Sequence, residues 1–321
     1  MSARTKVWFV IATSLVLIGC IIFGGVMTML KWDFTKLSTG KYETNNYEIA
    51  EIFNKISIVT DTADILLVPS ENQKISVVCL ELKNAKHSVT VQNGKLIIEL
   101  VDMRKWYEYI GINFGTAKIT VSIPQGEYDA LFVKSNTGNV ETSKEFKFEN
   151  IDISESTGNV TNYASASKNI TIKTSTGNIC VENVSANTLE LSASTGGVTV
   201  SNATCEGDVK INVSTGKTSL TNIECKNVVS NGDTGAISLK NVIAAEKFSI
   251  ERSTGAVKFD GCDAAEIFVE TDTGDVKGSL LADKIFVIQT DTGNVDVPKT
   301  TSGGKCEITT ETGNINISIK K

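Results

Sequence analysis

Ten Thr-Gly pairs recur along this chain at a spacing of 19 or 20 residues. The glycines are Gly138, Gly158, Gly177, Gly196, Gly216, Gly235, Gly255, Gly274, Gly293 and Gly313, each preceded by a threonine. A period this regular over more than half of a chain marks a stacked array, with one supersecondary unit per repeat. It constrains the architecture far more than the function.

Within each unit the apolar residues alternate. Seven and five residues before the glycine stand pairs such as Ile170 and Ile172, Leu189 and Leu191, or Phe248 and Ile250. Two and four residues after it stand Ile179 and Val181, Val198 and Val200, or Ile237 and Leu239. A period of two means short strands with one buried face. Each unit is therefore read as two strands joined at the Thr-Gly corner, followed by a shorter third side. Glycine suits the corner because it takes positive φ without a Cβ clash. No segment between the strands has helical periodicity, which disfavours a βαβ sheet. The expected fold is all-β, a parallel β-solenoid of about ten coils. Strand spacing makes it a rod roughly 50 Å long, and the handedness of parallel crossovers predicts a right-handed β-helix.

The third side carries small residues nine positions after the glycine (Ala186, Cys205, Cys225, Ala244 and Ala264). Six positions after it stand Asn183, Asn202, Asn222 and Asn241. Four asparagines in register predict an internal amide ladder, each side chain bonding the next coil. The competing reading is an exposed polar stripe for a ligand.

The N-terminus carries the second strong signal. Val7 to Leu30 is an uncharged run of 24 residues, with Arg4 and Lys6 before it and Trp8 and Trp32 near its ends. That length spans a bilayer and exceeds an ordinary cleavable signal core. Residues 1–6 read as a short tail, 7–30 as a transmembrane signal anchor and 31–50 as a stalk. Residues 51–321 read as one β-repeat domain, in which 51–126 cap the regular repeats of 127–321. Leu17-Ile18-Gly19-Cys20 offers a competing lipoprotein box, but the residues after Cys20 stay apolar. The lysines Lys31, Lys36 and Lys41 beyond the span blunt the positive-inside signal. The layout of short leader, single span and large domain favours an extracytoplasmic rod on the cell membrane.

In the capping part, strands are expected at 56–59, 65–68, 75–82, 88–91, 96–101 and 119–123. A hairpin turn is expected at Asn93-Gly94. Asp61-Thr62-Ala63-Asp64 looks like a worn copy of the corner, with alanine for glycine. Residues 103–114 break the pattern and concentrate Trp106, Tyr107, Tyr109 and Phe114 in an aromatic-poor chain. They are the candidate contact surface, for glycan stacking or the membrane interface, against the plainer reading of an excursion packed on the rod. At the other end the array is expected to run uncovered to Ile317, Ile319, Lys320 and Lys321.

The net charge of −6 is interspersed, giving no electrostatic case for nucleic acid. Seven cysteines without a CxxC and the single histidine His87 predict no metal site and no cofactor. Cys205 and Cys225 hold the same offset in adjacent coils, within disulfide range. Two small buried thiols is the favoured reading there.

Ile119-Thr120-Val121-Ser122-Ile123-Pro124-Gln125-Gly126, followed by Leu131-Phe132-Val133-Lys134-Ser135-Asn136-Thr137-Gly138-Asn139-Val140, resembles the bacterial putative-adhesin family of uncharacterised β-strand-repeat proteins. The likeness covers roughly residues 50–321. It implies a β-solenoid, often membrane-tethered, in surface or envelope roles such as adhesion or the response to envelope stress. It supplies no catalytic residues.

A polysaccharide-active β-helix enzyme would need clustered carboxylates or basic groups in a groove. Here Asp233, Asp272 and Asp291 occupy ordinary turn-capping positions, no histidine stands near the array to act as a base, and no Ser–His or Cys–His pair is expected. A calcium-loaded repeat lacks its glycine-aspartate nonapeptide, and an ice-binding face would put its threonines on a flat strand rather than at corners. The expected function is thus non-enzymatic: a surface adhesin or binding module that takes a glycan or an envelope protein. The alternative is an envelope-stress scaffold or sensor subunit with a protein partner.

Overall fold

The computed structural model describes residues 2–37, 40–109 and 115–320. Helix α1 (Ala3–Met29) is apolar on every side from Val7 onward, and most of its large side chains are exposed, with Met27 buried near its end. Ser2 caps it by accepting a hydrogen bond from the Thr5 amide. At 1.5 Å per residue it is about 40 Å long, enough to cross a bilayer.

From Gly138 to Gly274 the coils stack as the repeat predicts. The threonines before the corner glycines lie side by side in parallel register, from Thr137 through Thr157, Thr176, Thr195, Thr215, Thr234 and Thr254 to Thr273. The inward residues of each coil form one continuous aliphatic core, with Ile170, Leu189, Val209, Val228, Phe248 and Ile267 fully buried in one column. The corner needs glycine for two reasons. Gly216 sits at φ +154°, and a Cβ there would lie 2.0 Å from the carbonyl oxygen of Gly196 in the coil before. The same close approach repeats from coil to coil, so glycine is stacked on glycine.

The capping part contains seven strands: β1 (Tyr42–Ile49), β2 (Lys55–Val59), β3 (Asp64–Pro69), β4 (Ile75–Leu82), β5 (Ala85–Gln92), β6 (Lys95–Asp102) and β7 (Lys118–Ile123). The first regular coil follows, as β8 (Gly126–Thr137) and β9 (Val140–Thr142). Chain order and stacking order part company here. β2 lies between β6 and β8, and β3 lies between β7 and β9. The Asp61–Asp64 corner is a true coil corner, with Thr62 bridged to Thr137 and the Ala63 carbonyl beneath Gly138. Antiparallel strands close this end: β5 on β6 through the Asn93-Gly94 turn, β4 on β7, and β1 on β4.

The opposite end overturns the expectation of an uncovered C-terminal strand. Gly304–Thr312 pairs on one side with residues 267–273 and on the other with Lys284–Thr292. Ile315–Ile319 likewise lies between Val276–Leu280 and Val295–Asp296. The Gly313 coil is therefore inserted between the Gly274 and Gly293 coils, and residues 284–296 form the outermost layer. The reason lies in the entry to the inserted strand. A Cβ at Gly304 would stand 1.7 Å from the Ala265 carbonyl oxygen, so glycine lets this strand, and not the one starting at Asp283-Lys284, lie against the coil before. Nothing among the described residues covers the outer layer. Phe286 and Ile288 are only partly buried, and Val295, Ile285 and Val287 are exposed.

Candidate functional site

The aromatic excursion leaves the rod where a corner would otherwise join β6 to β7. Asp102 anchors it, accepting from Arg104 Nε at 2.9 Å and from the Tyr109 hydroxyl at 2.8 Å, and pairing with Arg104 Nη2. The hydrogen bonds from Arg104 hold the Asp102 carboxyl down to about 2. The Arg104 guanidinium also stacks 4.4 Å over the Tyr109 ring. Glu108 ties the turn down, accepting from the Lys105 amide and the Asn84 side chain, each at 2.7 Å. On this clamped turn Trp106 is 76% exposed and Tyr109 56% exposed, beside exposed Met103. The Tyr107 side chain and Phe114 lie outside the described residues.

The asparagines at six after glycine do bond in series. Asn202 Nδ2 donates to Asn183 Oδ1 at 3.0 Å, Asn222 to Asn202 at 2.8 Å, and Asn241 to Asn222 at 3.0 Å. The ladder is exposed rather than internal, which corrects the sequence reading. All four residues sit at φ between +51° and +57°, and in the next coil Gly261 takes the same position at φ +63°. The column thus marks a left-handed corner, a conformation asparagine tolerates and turns outward. A second series escaped the sequence analysis: Asp64 Oδ1 accepts from Asn139, Asn139 Oδ1 from Asn159, and Asn159 Oδ1 from Asn178. Its signal was the asparagine that follows five of the ten corner glycines.

Cys205 and Cys225 are free and buried. Burial pushes their thiols up to about 11 and about 12.

Two charges sit inside the rod in one column, three positions before the corner glycine. At this position Thr174, Thr271, Thr290 and Thr310 donate from their hydroxyls to the glycine carbonyl of the coil before in space. Arg252 is accommodated by Gly232, where a Cβ would fall 2.5 Å from its Nη1. It donates to Ser230 Oγ at 2.8 Å and to the Glu251 carbonyl at 3.0 Å, and burial holds it down to about 10. Glu155 is 4% exposed, and its Oε2 has no partner. Burial raises its carboxyl to about 7.

The cap holds a third cluster. His87 Nδ1 and its own backbone amide both bond Glu81 Oε2, each at 2.6 Å. His87 Nε2 meets Thr60 Oγ1 at 2.8 Å, and Asn45 Nδ2 donates to Glu81 Oε1 at 2.7 Å. A Thr60–His87–Glu81 chain therefore exists in the cap, away from the regular array. Its hydroxyl is buried, with Thr60 only 7% exposed.

The family model described as Toastrack DUF4097 matches residues 53–213 and again 198–321. No curated protein matches the chain. Among solved structures, a putative adhesin from Parabacteroides merdae is similar at 12% identity, over 75% of this chain and 97% of that one, with a TM-score of 0.49. A putative lipid binding protein from Parabacteroides distasonis is similar at 17% identity, over 88% and 98%, with a TM-score of 0.48. A putative adhesin from Bacteroides fragilis is similar at 16% identity, over 87% and 97%, with a TM-score of 0.44.

Proposed function

The chain belongs to the Toastrack DUF4097 family, and from that premise we propose a non-enzymatic binding module, tethered to the bacterial membrane by α1 with its rod outside the cytoplasm. The reading rests on one observation above all. Trp106 and Tyr109 are exposed aromatic side chains on a turn fixed by Asp102, Arg104 and Glu108. Preordered aromatic faces bind sugar rings or protein surfaces without a large ordering cost. Catalysis has no comparable support, since the one histidine is buried in a satisfied network.

Protease treatment of intact cells tests the tether. Release of a fragment beginning within residues 31–50 is expected, and protection until lysis would remove the adhesin reading. A Trp106→Ala/Tyr109→Ala double variant tests the surface. Binding to cells or glycans should fall at least tenfold with the melting temperature unchanged. A loss of stability without loss of binding would sink the assignment.

The outer coil supports a second reading, an envelope scaffold or sensor subunit. Residues 284–292 offer a strand edge that no described residue pairs with, beside exposed Ile285 and Val287, suited to an extended segment of a protein partner. Substituting Val287 with lysine separates the two readings, since only partner capture through this edge would suffer.

A further inference from the structure

We propose that Cys79, Glu81 and His87 form a binding site for one divalent transition-metal ion, with Zn2+ the ion that best suits the donors. Their ligand atoms lie within 4.8 Å of one another, all three residues are buried, and no other such trio occurs among the described residues. The fold brings them together locally. Cys79 and Glu81 are two apart on β4, so their side chains leave the same face of the strand. His87 follows on β5, after the turn at Lys83-Asn84. The Cys-x-Glu…His pattern carries no CxxC signature.

The donors match the ion. Thiolate, imidazole and carboxylate are the three ligand types Zn2+ takes, leaving one tetrahedral position for water. The surrounding bonds already orient them. Thr60 Oγ1 sits 2.8 Å from His87 Nε2, the kind of outer partner that directs the other ring nitrogen at a metal. Asn45 fixes the far oxygen of Glu81. On binding, the Cys79 thiol gives its proton to solvent, and the imidazole gives up the Nδ1 proton it shares with Glu81 and carries its one proton on Nε2 instead, donated to Thr60. Thiolate and carboxylate then neutralise the 2+ charge, so the filled site buries no net charge. Without the ion, burial and the neighbouring Glu81 push the Cys79 thiol up to about 12.

The Glu81–His87 pair stands at hydrogen-bond distance, 2.6 Å. Two ligands of one tetrahedral Zn2+ lie about 3.3 Å apart, so the pair must part by less than about an ångström, within reach of a small rotation of the Glu81 side chain. β1 touches the cluster through Asn45 and Tyr47 and, among the described residues, pairs only with β4, so lifting this edge strand would open a way in without opening the rod.

Co2+ titration of the full-length chain in detergent micelles, after stripping with chelator, tests the proposal. One equivalent should bind, with a near-ultraviolet thiolate-to-cobalt band that Zn2+ abolishes. Cys79→Ala should remove the band and weaken Zn2+ binding at least tenfold, while Cys205→Ala leaves both unchanged. Thr60→Val should weaken Zn2+ binding about 10-fold. Excess Zn2+ should raise the melting temperature of the unmodified protein, a readout that holds even if a variant fails to fold. No band in the unmodified protein, no Zn2+-dependent rise in melting temperature, or a band that survives Cys79→Ala would each overturn the site.

Discussion

The middle of the rod and its two ends are built from the same coil under different rules of assembly. Between Gly138 and Gly274 each coil stacks on the one before it in sequence. At the N-terminal end the β2–β3 layer sits between strands that come later in the chain, and at the other end the Gly313 coil is threaded inside the Gly293 coil. The difference teaches what a repeat specifies. Every coil presents the same backbone edges on both faces, so the period dictates coil shape and leaves stacking order open. Order is then settled by contacts that differ between coils, such as the close approach of Gly304 to Ala265.

The sharpest way to break this contrast is to place a side chain at a middle corner. Gly216→Ala drives a Cβ into the Gly196 carbonyl at a positive φ, and neither coil can shift without moving the stack. A loss exceeding about 4 kcal/mol is expected, read as failure of the cooperative circular-dichroism melt. Ala63 already occupies a corner in an end layer, so Ala63→Gly should leave the melt nearly unchanged. If both substitutions are tolerated, the glycine column is not what holds the middle together.

The same test at the end should stay local. Gly304→Ala blocks the approach of the inserted strand to Ala265, and the expected result is opening of residues 284–319 alone. Hydrogen exchange should then accelerate there by at least tenfold, while amides of the Gly177 to Gly235 coils keep their protection. Uniform acceleration along the rod would show that ends and middle unfold as one unit.

Much of this molecule could be read from its residues. The Thr-Gly period and the alternation around it carried the solenoid, the Asn93-Gly94 pair carried its hairpin, and Ala63 its worn corner. Threading at the ends was not legible, because it depends on a Gly304–Ala265 contact 39 residues apart that no periodicity encodes. The asparagine column was legible as a ladder but not as a surface feature, since one stacking pattern serves an inward or an outward amide. Its left-handed φ decided the matter. The His87 cluster was missed because its Cys-x-Glu…His spacing matches no common metal motif, and only the pairing of strands brings the side chains together.

Within the middle, Glu155 is the exception that sharpens the rule. Its coil places a carboxyl where Thr174, Thr271 and Thr310 place a hydroxyl donor facing a glycine carbonyl. An ionised carboxylate has nothing to donate there, and Oε2 stays unpartnered. Because its pKa in the fold is raised to about 7 from an ordinary 4.5, the fold favours the protonated form. Stability is therefore fully present below about pH 4.5 and lost as pH rises through about 7. Glu155→Thr should stabilise the rod by about 2 kcal/mol at pH 8, and the gain should shrink toward pH 5. Melts across that range check it. A gain independent of pH would mean that packing, and not the charge, sets the cost.

The smallest effect separates backbone from side chain in the asparagine column. Asn222 both donates to Asn202 and accepts from Asn241, at φ +54° on the surface. If the amide series stabilised the stack, removing it would cost the same whatever residue replaced it. If the left-handed corner is what selects asparagine, the two replacements should differ. Asn222→Ala keeps a Cβ at positive φ and should cost about 1 kcal/mol. Asn222→Gly loses the amide but relieves the corner, as Gly261 does one coil beyond Asn241, and should fall within about 0.5 kcal/mol of the parent. Exposed amide bonds exchange readily for water, which is why the backbone term is expected to decide. Equal losses in the two variants, measured by urea melts, would hand the column back to its hydrogen bonds.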